Sequence, residues 1–217
     1  MKILAIEFSS ERRSVAVVAD GFVRARAEET GGRNARAFSL IERALAEASL
    51  PRESIDCLAV GLGHGSYAGI RAAIALAQGW QLARGVRLLG LSTVDCLAAQ
   101  AHADGWRGRV TILLDAQRNE FYLAAYDLDS EGPRNVELLR LANLEQARDA
   151  TRTGEVIGSP ELLKLFPHGR VLHPDAATLG RLAEGRTDFT AGERLEPIYL
   201  REVNFVKAPP PRVLPPL

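Results

Sequence analysis

The residues with the clearest chemical potential are 61–71, Gly-Leu-Gly-His-Gly-Ser-Tyr-Ala-Gly-Ile-Arg. Gly61, Gly63, Gly65 and Gly69 allow left-handed backbone and close approach to another surface. Ser66 is placed to cap a helix beginning here, so the first free N–H groups of that helix would face whatever lies over the turn. Such a position favours anions, which makes phosphate the first ligand suggested, with Gly63, Gly65, Ser66 and Gly69 as contacts. Tight packing of a strand–turn–helix corner explains the same glycines, and both readings stand at this level. The stretch lacks the Gly-Lys-Ser/Thr ending of a Walker loop, and no acidic residue follows at the distance a dinucleotide site requires. Arg71 is the first charged residue after the turn. Its guanidinium could form an ion pair towards the sheet edge or Glu7, or point outward to a partner's carboxylate or a phosphate.

Other chemistry is sparse. His64, His102, His168 and His173 nowhere show metal-ligand spacing, and no mixed cluster of His, Cys and carboxylates does either, so no catalytic metal is expected. Cys57 and Cys96 sit in apolar segments and read as buried free thiols. Lys plus Arg equals Asp plus Glu at 27 each, which argues against a stand-alone nucleic-acid binder. With 47% apolar residues the 217-residue chain can bury a large core. Neither a signal peptide nor a membrane span is expected, so the chain reads as cytoplasmic.

The elements that must position the glycine turn follow from periodicity. Lys2 to Phe8, Ser14 to Ala19 and Phe22 to Ala27 read as strands, the last two joined by the hairpin turn Asp20-Gly21. Ala37, Leu40, Ile41, Ala44, Leu45 and Ala48 recur at helical spacing and predict a helix from about Ala35 to Ser49. The buried strand Ile55–Val60, the glycine turn, an Ala-rich helix and the strand Val86–Leu91 come next. Ser92 then caps a further helix, with Asp95 placed as in a capping box. The order βββαβαβα is that of ribonuclease-H-like α/β sheets. Beyond Gly105 and Gly108, strands over 109–115, 120–127 and 136–141 and helices within 144–151 and around 176–184 loosely repeat the opening. The expected division is a lobe at 1–104, a smaller lobe at 105–196, and a tail at 197–217 that packs back on the first lobe and then runs on as a Pro-rich extended segment.

The Ala-rich helix is apolar around most of its circumference, and one sheet covers only one face. A second cover is therefore expected from the helices at 35–49 and 69–84, either a partner or a second copy, with Ala37, Leu40, Ile41, Ala44, Ile70, Ala73, Ile74, Ala75 and Ala77 as the interface. Full burial inside the chain's own domain is the alternative.

With these elements in order, three stretches resemble the bacterial TsaB (YeaZ) family of the actin-like superfamily. Residues 2–10, Lys-Ile-Leu-Ala-Ile-Glu-Phe-Ser-Ser, are similar to its opening strand and loop. Residues 61–71 resemble its Gly-Pro-Gly-Ser-Phe-Thr-Gly-Leu-Arg signature, with His64, Tyr67 and Ala68 as departures. Leu88–Thr93, Asp115-Ala116-Gln117 and Tyr199-Leu200-Arg201 continue the match. The resemblance implies two actin-like lobes and a role in making threonylcarbamoyladenosine in tRNA. It implies a non-catalytic subunit that binds a TsaD-like catalytic subunit, meets a TsaE-like ATPase in the larger complex, dimerises when alone and reaches tRNA only through that complex. Thr93 and Leu97 stand where the catalytic relative carries its metal-binding histidine pair. Glu7, Ser9 and Ser10, with Gly63, Gly65, Ser66, Gly69 and Arg71, become a vestigial phosphate or ligand loop. No cofactor is expected, ATP or ADP entering only at an interface with the catalytic partner. The rivals are an actin-like ATP-dependent kinase or carbamoyltransferase, with Glu7 on Mg²⁺, and a glycoprotease-type metallopeptidase.

Overall fold

The computed structural model describes residues 1–31 and 36–200. Its first sheet combines β1 (Lys2–Glu7), β2 (Arg12–Ala19), β3 (Phe22–Thr30), β4 (Cys57–Gly61) and β5 (Arg87–Leu91) in the order β3-β2-β1-β4-β5. The three opening strands pair antiparallel, and β1, β4 and β5 run parallel. Asp20 and Gly21 both take positive φ, 54° and 82°, as a tight hairpin between right-twisted strands requires. Nearly every residue of β1, β2 and β4 is buried, because helices cover both faces of the sheet.

One face receives α1 (Ala37–Glu47) and α2 (Tyr67–Arg84), whose Leu40, Ile41, Ala44, Ile70, Ala73, Ile74 and Ala77 join Leu4, Ile6, Val15, Leu58 and Val60 in one core. The other face receives α5 (Ala176–Ala183). A Cβ on Gly180 would lie 2.6 Å from Val18 Cγ2, so glycine is what lets this helix sit directly on the sheet. Although α5 follows the second sheet in sequence, the chain returns to the first sheet to form it.

The second sheet repeats the arrangement. β6 (Gly108–Asp115), β7 (Glu120–Leu128), β8 (Pro133–Asn143), β9 (Glu155–Gly158) and β10 (Arg170–Val171) lie in the order β10-β9-β6-β7-β8, again with three antiparallel strands and a parallel continuation. Read from its antiparallel edge, the order matches the first sheet strand for strand. Two five-stranded mixed sheets flanked by helices make the two-lobed, actin-like α/β fold. Between the sheets lies α3 (Thr93–Ala103), with Val94, Leu97 and Ala98 against Val110, Ile112 and Ala124, while Cys96 faces the first-sheet core.

Several local expectations change. The sequence reading lacks β9 and β10, which at four and two residues are too short to carry a period. Ser92 precedes α3 without a side-chain cap bond, and Asp95 accepts instead from the Tyr126 hydroxyl at 2.5 Å, tying α3 to β7. The reciprocal cap lies at α4 (Leu144–Ala150), between Asn143 and Gln146. The expected helix start at Ala35, the closing Arg201 and the Pro-rich tail from 201 fall outside the described residues. Among the described residues no helix is long and apolar enough to cross a membrane.

Candidate functional site

The end of β1 and the glycine turn are built against each other. Ser66 N–H donates to the Ser9 carbonyl at 2.7 Å. A Cβ on Gly65 would lie 2.1 Å from that same carbonyl oxygen, and one on Gly69 would lie 2.1 Å from the Phe8 carbonyl oxygen. Gly63 takes φ +72° and Gly65 φ +147°. Gly65 and Gly69 are therefore required by contact with the 8–9 backbone, and Gly63 by the Ile70 side chain, which a Cβ there would approach to 2.1 Å. Ser66 caps α2, its hydroxyl accepting from Gly69 N–H at 3.2 Å. Of the N–H groups the sequence offered to an anion, those of Ser66 and Gly69 are committed to protein acceptors.

Beneath the turn lies a carboxylate. Glu7 is fully buried. Its Oε1 accepts from Ser9 N–H at 2.7 Å and its Oε2 from the Thr93 hydroxyl at 3.2 Å, while Gly63 N–H donates to the Thr93 oxygen at 3.1 Å. The Thr93 hydroxyl has Ser9 Oγ at 3.4 Å as its alternative acceptor. Gly61 makes room for this group, since a Cβ there would fall 1.9 Å from Glu7 Oε2. Burial raises the Glu7 pKa, and the hydrogen bonds from Ser9 and Thr93 oppose the rise.

The structure thus gathers Glu7, Ser9, Gly63, Gly65, Ser66 and Gly69 into one knot, with Ser10 at its edge, its hydroxyl donating to the Arg12 carbonyl at 2.9 Å. Arg71 stands apart, which corrects the inward ion pair with Glu7; among the described residues it forms no salt bridge and bonds a tyrosine hydroxyl instead. The helix carries Arg71 to the exposed face one turn after Tyr67, so its guanidinium lies 4.2 Å from the Tyr67 ring centroid. Its Nε and Nη2 donate to the Tyr199 hydroxyl at 3.1 and 2.9 Å. Ile198 N–H donates to the Leu62 carbonyl at 3.2 Å, so the segment reaching Tyr199 packs back on the first lobe.

The knot opens on a cleft between the sheets. One chamber, about 290 Å³, is walled by Ser9, Ser10 and His64 on one side and Asp115, Ser159 and Glu161 on the other. A second, about 190 Å³, lies between His64, Tyr67, Tyr122 and Tyr199. His64 lines both, its ring centroid 4.2 Å from that of Tyr122 and the two rings tilted by 52°. Only 4% of His64 is exposed, neither ring nitrogen has a partner among the described residues, and burial lowers its pKa to about 4. Gln117, which lines both chambers, and the next two residues, Arg118 and Asn119, all take left-handed φ of 57° to 60°. Thr93 and Tyr122 were missed as site residues: both look like ordinary element residues until the lobes meet.

Thr93 is therefore a polar tie and Leu97 a core residue, fully buried against the second sheet. Among the described residues no group of three or more His, Cys, Asp and Glu is placed to hold a metal ion.

The outer face of α1 and α2 is a separate feature. Leu40, Ala44, Ile70, Ala73, Ile74 and Ala77 point inward to the core, which corrects them as interface contacts; Ile41 is buried but also lines the groove between the two helices, Ala37 is half-buried and Ala75 exposed. What the two helices present instead is an apolar groove of about 580 Å³ between Phe38, Ala75, Leu76, Gly79, Trp80 and Ala83. Phe38 is 72% exposed.

Residues 32–143 match the model of the family described as TsaD: tRNA N6-adenosine threonylcarbamoyltransferase. The tRNA threonylcarbamoyladenosine biosynthesis protein TsaB of Escherichia coli (strain K12) is 31% identical, over 96% of this chain and 99% of that protein. The TsaB protein of Haemophilus influenzae is 28% identical over 57% of this chain and 53% of its own length. The solved structure of YeaZ from Pseudomonas aeruginosa aligns with a TM-score of 0.77 at 24% identity, covering 92% of this chain and 99% of that one, and so shares the fold.

Proposed function

Because the chain belongs to the TsaB family, we propose that it acts in tRNA threonylcarbamoyladenosine biosynthesis as a non-catalytic partner that docks a TsaD-like catalytic subunit. The observation that carries this reading is the apolar groove of α1 and α2. A groove of that size, lined by Phe38 and Trp80, leaves large apolar side chains in water unless another surface covers them. The TsaD family model spans both helices, so a TsaD-like subunit would bring a related helix pair, and like faces can pack by ridges into grooves. Small residues at Ala75, Gly79 and Ala83 permit close helix approach. In the absence of that subunit, a second copy occupies the same face as an isologous homodimer.

The closed knot around Glu7 fits a lobe that does no chemistry of its own. A buried carboxylate lies where a phosphate would rest, and Ser66 N–H is held by a protein carbonyl. Phosphate-bearing nucleotide then enters at the interface with the catalytic partner, a TsaE-like ATPase joins the same assembly, and tRNA is met through it. Mixing the chain with a TsaD-like subunit on a sizing column tests the docking. Co-elution by wild type and separate elution by Ala75→Arg support the face, whereas unchanged co-elution by the variant removes it.

A further inference from the structure

Arg71 is ordered in a way that the apolar groove does not require. Tyr67, Arg71, Ala75, Gly79 and Ala83 are spaced four apart along α2 and all are exposed, so they form one stripe on the helix. The last three line the groove, and Arg71 stands one turn beyond its end. There its guanidinium lies 4.2 Å from the Tyr67 ring centroid and 6.0 Å from that of Tyr199, whose hydroxyl accepts from its Nε and Nη2. Tyr67 is 62% exposed and Tyr199 49%.

An exposed arginine normally loses side-chain freedom when a partner fixes it. Here two rings and a hydroxyl already hold the planar fork, so an incoming group meets it in place. Exposed tyrosine around arginine is also the composition that dominates protein interfaces. Among the described residues Arg71 has no carboxylate partner, which leaves it open to an anion. An RNA backbone is matched by several cations side by side, whereas Arg71 and Arg84 are the only charged residues of α2 and lie at opposite ends of it. One isolated guanidinium matches one carboxylate.

We propose that Arg71 is the specificity residue of the docking face: it takes a carboxylate of the TsaD-like subunit and selects that subunit over a second copy of this chain. The inference rests on the docking proposed above. A twofold axis reverses the stripe, so in a homodimer the Arg71 end of one copy lies over the Arg84 end of the other, about 20 Å along the helix. Arg84 is followed by Arg87 at the start of β5, and Glu42, the one carboxylate lining the groove, has Arg52 at 4.0 Å. Self-association therefore sets cations against Arg71, and a partner with an acid at that place does not. Specificity is that difference in affinity.

Dissociation constants of the full chain with a TsaD-like subunit and with itself, measured by sedimentation, test this. Arg71→Glu should weaken the mixed complex at least tenfold and tighten the homodimer, because the new acid faces Arg84. Arg71→Gln should weaken the mixed complex and flatten its dependence on salt, with Arg71→Lys recovering part of the loss. A mixed complex unchanged by Arg71→Glu, or a homodimer that the same variant weakens or leaves alone, overturns the selection. Where Ala75→Arg still abolishes the mixed complex in that case, the docking face stands and only the role of Arg71 falls; where Ala75→Arg also leaves it intact, both fall. Retention of tRNA by the chain alone, lost in Arg71→Gln, overturns the carboxylate in favour of an RNA contact.

Discussion

At Gly61 a single methyl group decides whether the buried acid fits. Its Cβ would fall 1.9 Å from Glu7 Oε2, and the backbone there needs no left-handed conformation, so the demand for glycine is steric. Gly61→Ala should destabilise the chain by about 2 kcal/mol, as overpacked cores do. Because the three nearest atoms to that Cβ all belong to Glu7, Gly61→Ala with Glu7→Ala should be less damaging than the two separate costs added, a coupling that urea midpoints measure. The two titrating groups here act in opposite directions. Glu7 has a raised pKa, so its contribution is full below the ordinary 4.5 and is lost as pH rises through its folded value. His64 is depressed from 6.5 to about 4, so its contribution is full above 6.5 and is lost as pH falls towards 4. His64→Phe should therefore gain stability relative to wild type as pH falls from 6.5 to 4, with no loss at pH 7. A parallel pH profile for the two proteins would contradict the burial of a neutral ring. The glycines were legible in sequence, but their purpose was not. Spacing alone cannot distinguish a turn that holds phosphate from one that lies on the Ser9 carbonyl.

The elements with strong periods were legible and the short ones were not. α1 and α2 follow from their apolar spacing, yet spacing does not say which apolar residues a second layer covers. Ala73 and Ala75 are two positions apart on α2, one fully buried and the other exposed. Ala73→Arg should cost more than about 4 kcal/mol by burying an unpaired charge, whereas Ala75→Arg should stay within about 0.5 kcal/mol. Denaturant melts of the pair check the facing of the helix independently of any partner. At the start of the same helix, Arg71 holds Tyr199 and, with the Ile198–Leu62 bond, fastens the segment after the second lobe across the glycine turn. Tyr199→Phe removes the hydroxyl that accepts both bonds and should speed hydrogen exchange at Ile198 without moving the global midpoint by more than about 1 kcal/mol. Unchanged exchange at Ile198 would show that the hydroxyl does not fasten the segment. The Ser92–Asp95 pattern misled because Asp95 finds a better partner in Tyr126, a contact between lobes that a local motif cannot encode.

At the scale of the molecule, two sheets of the same strand order face each other across α3, and the cleft between them carries acids and a neutral imidazole where phosphate-binding residues would be needed. The duplication was visible as a loose repeat of strands; the return of α5 to the first sheet was not, because only packing against β1 and β2 reveals it. The central claim is that this chain contributes a docking face and no catalysis of its own. Reconstituted tRNA modification tests it directly, with a TsaD-like subunit, a TsaE-like ATPase and activated threonylcarbamoyl donor held constant. The account predicts no threonylcarbamoyladenosine from this chain alone, strong stimulation when it joins the catalytic subunit, and loss of that stimulation with Ala75→Arg. Modification by the chain alone, or equal modification by the catalytic subunit with and without it, would contradict the account.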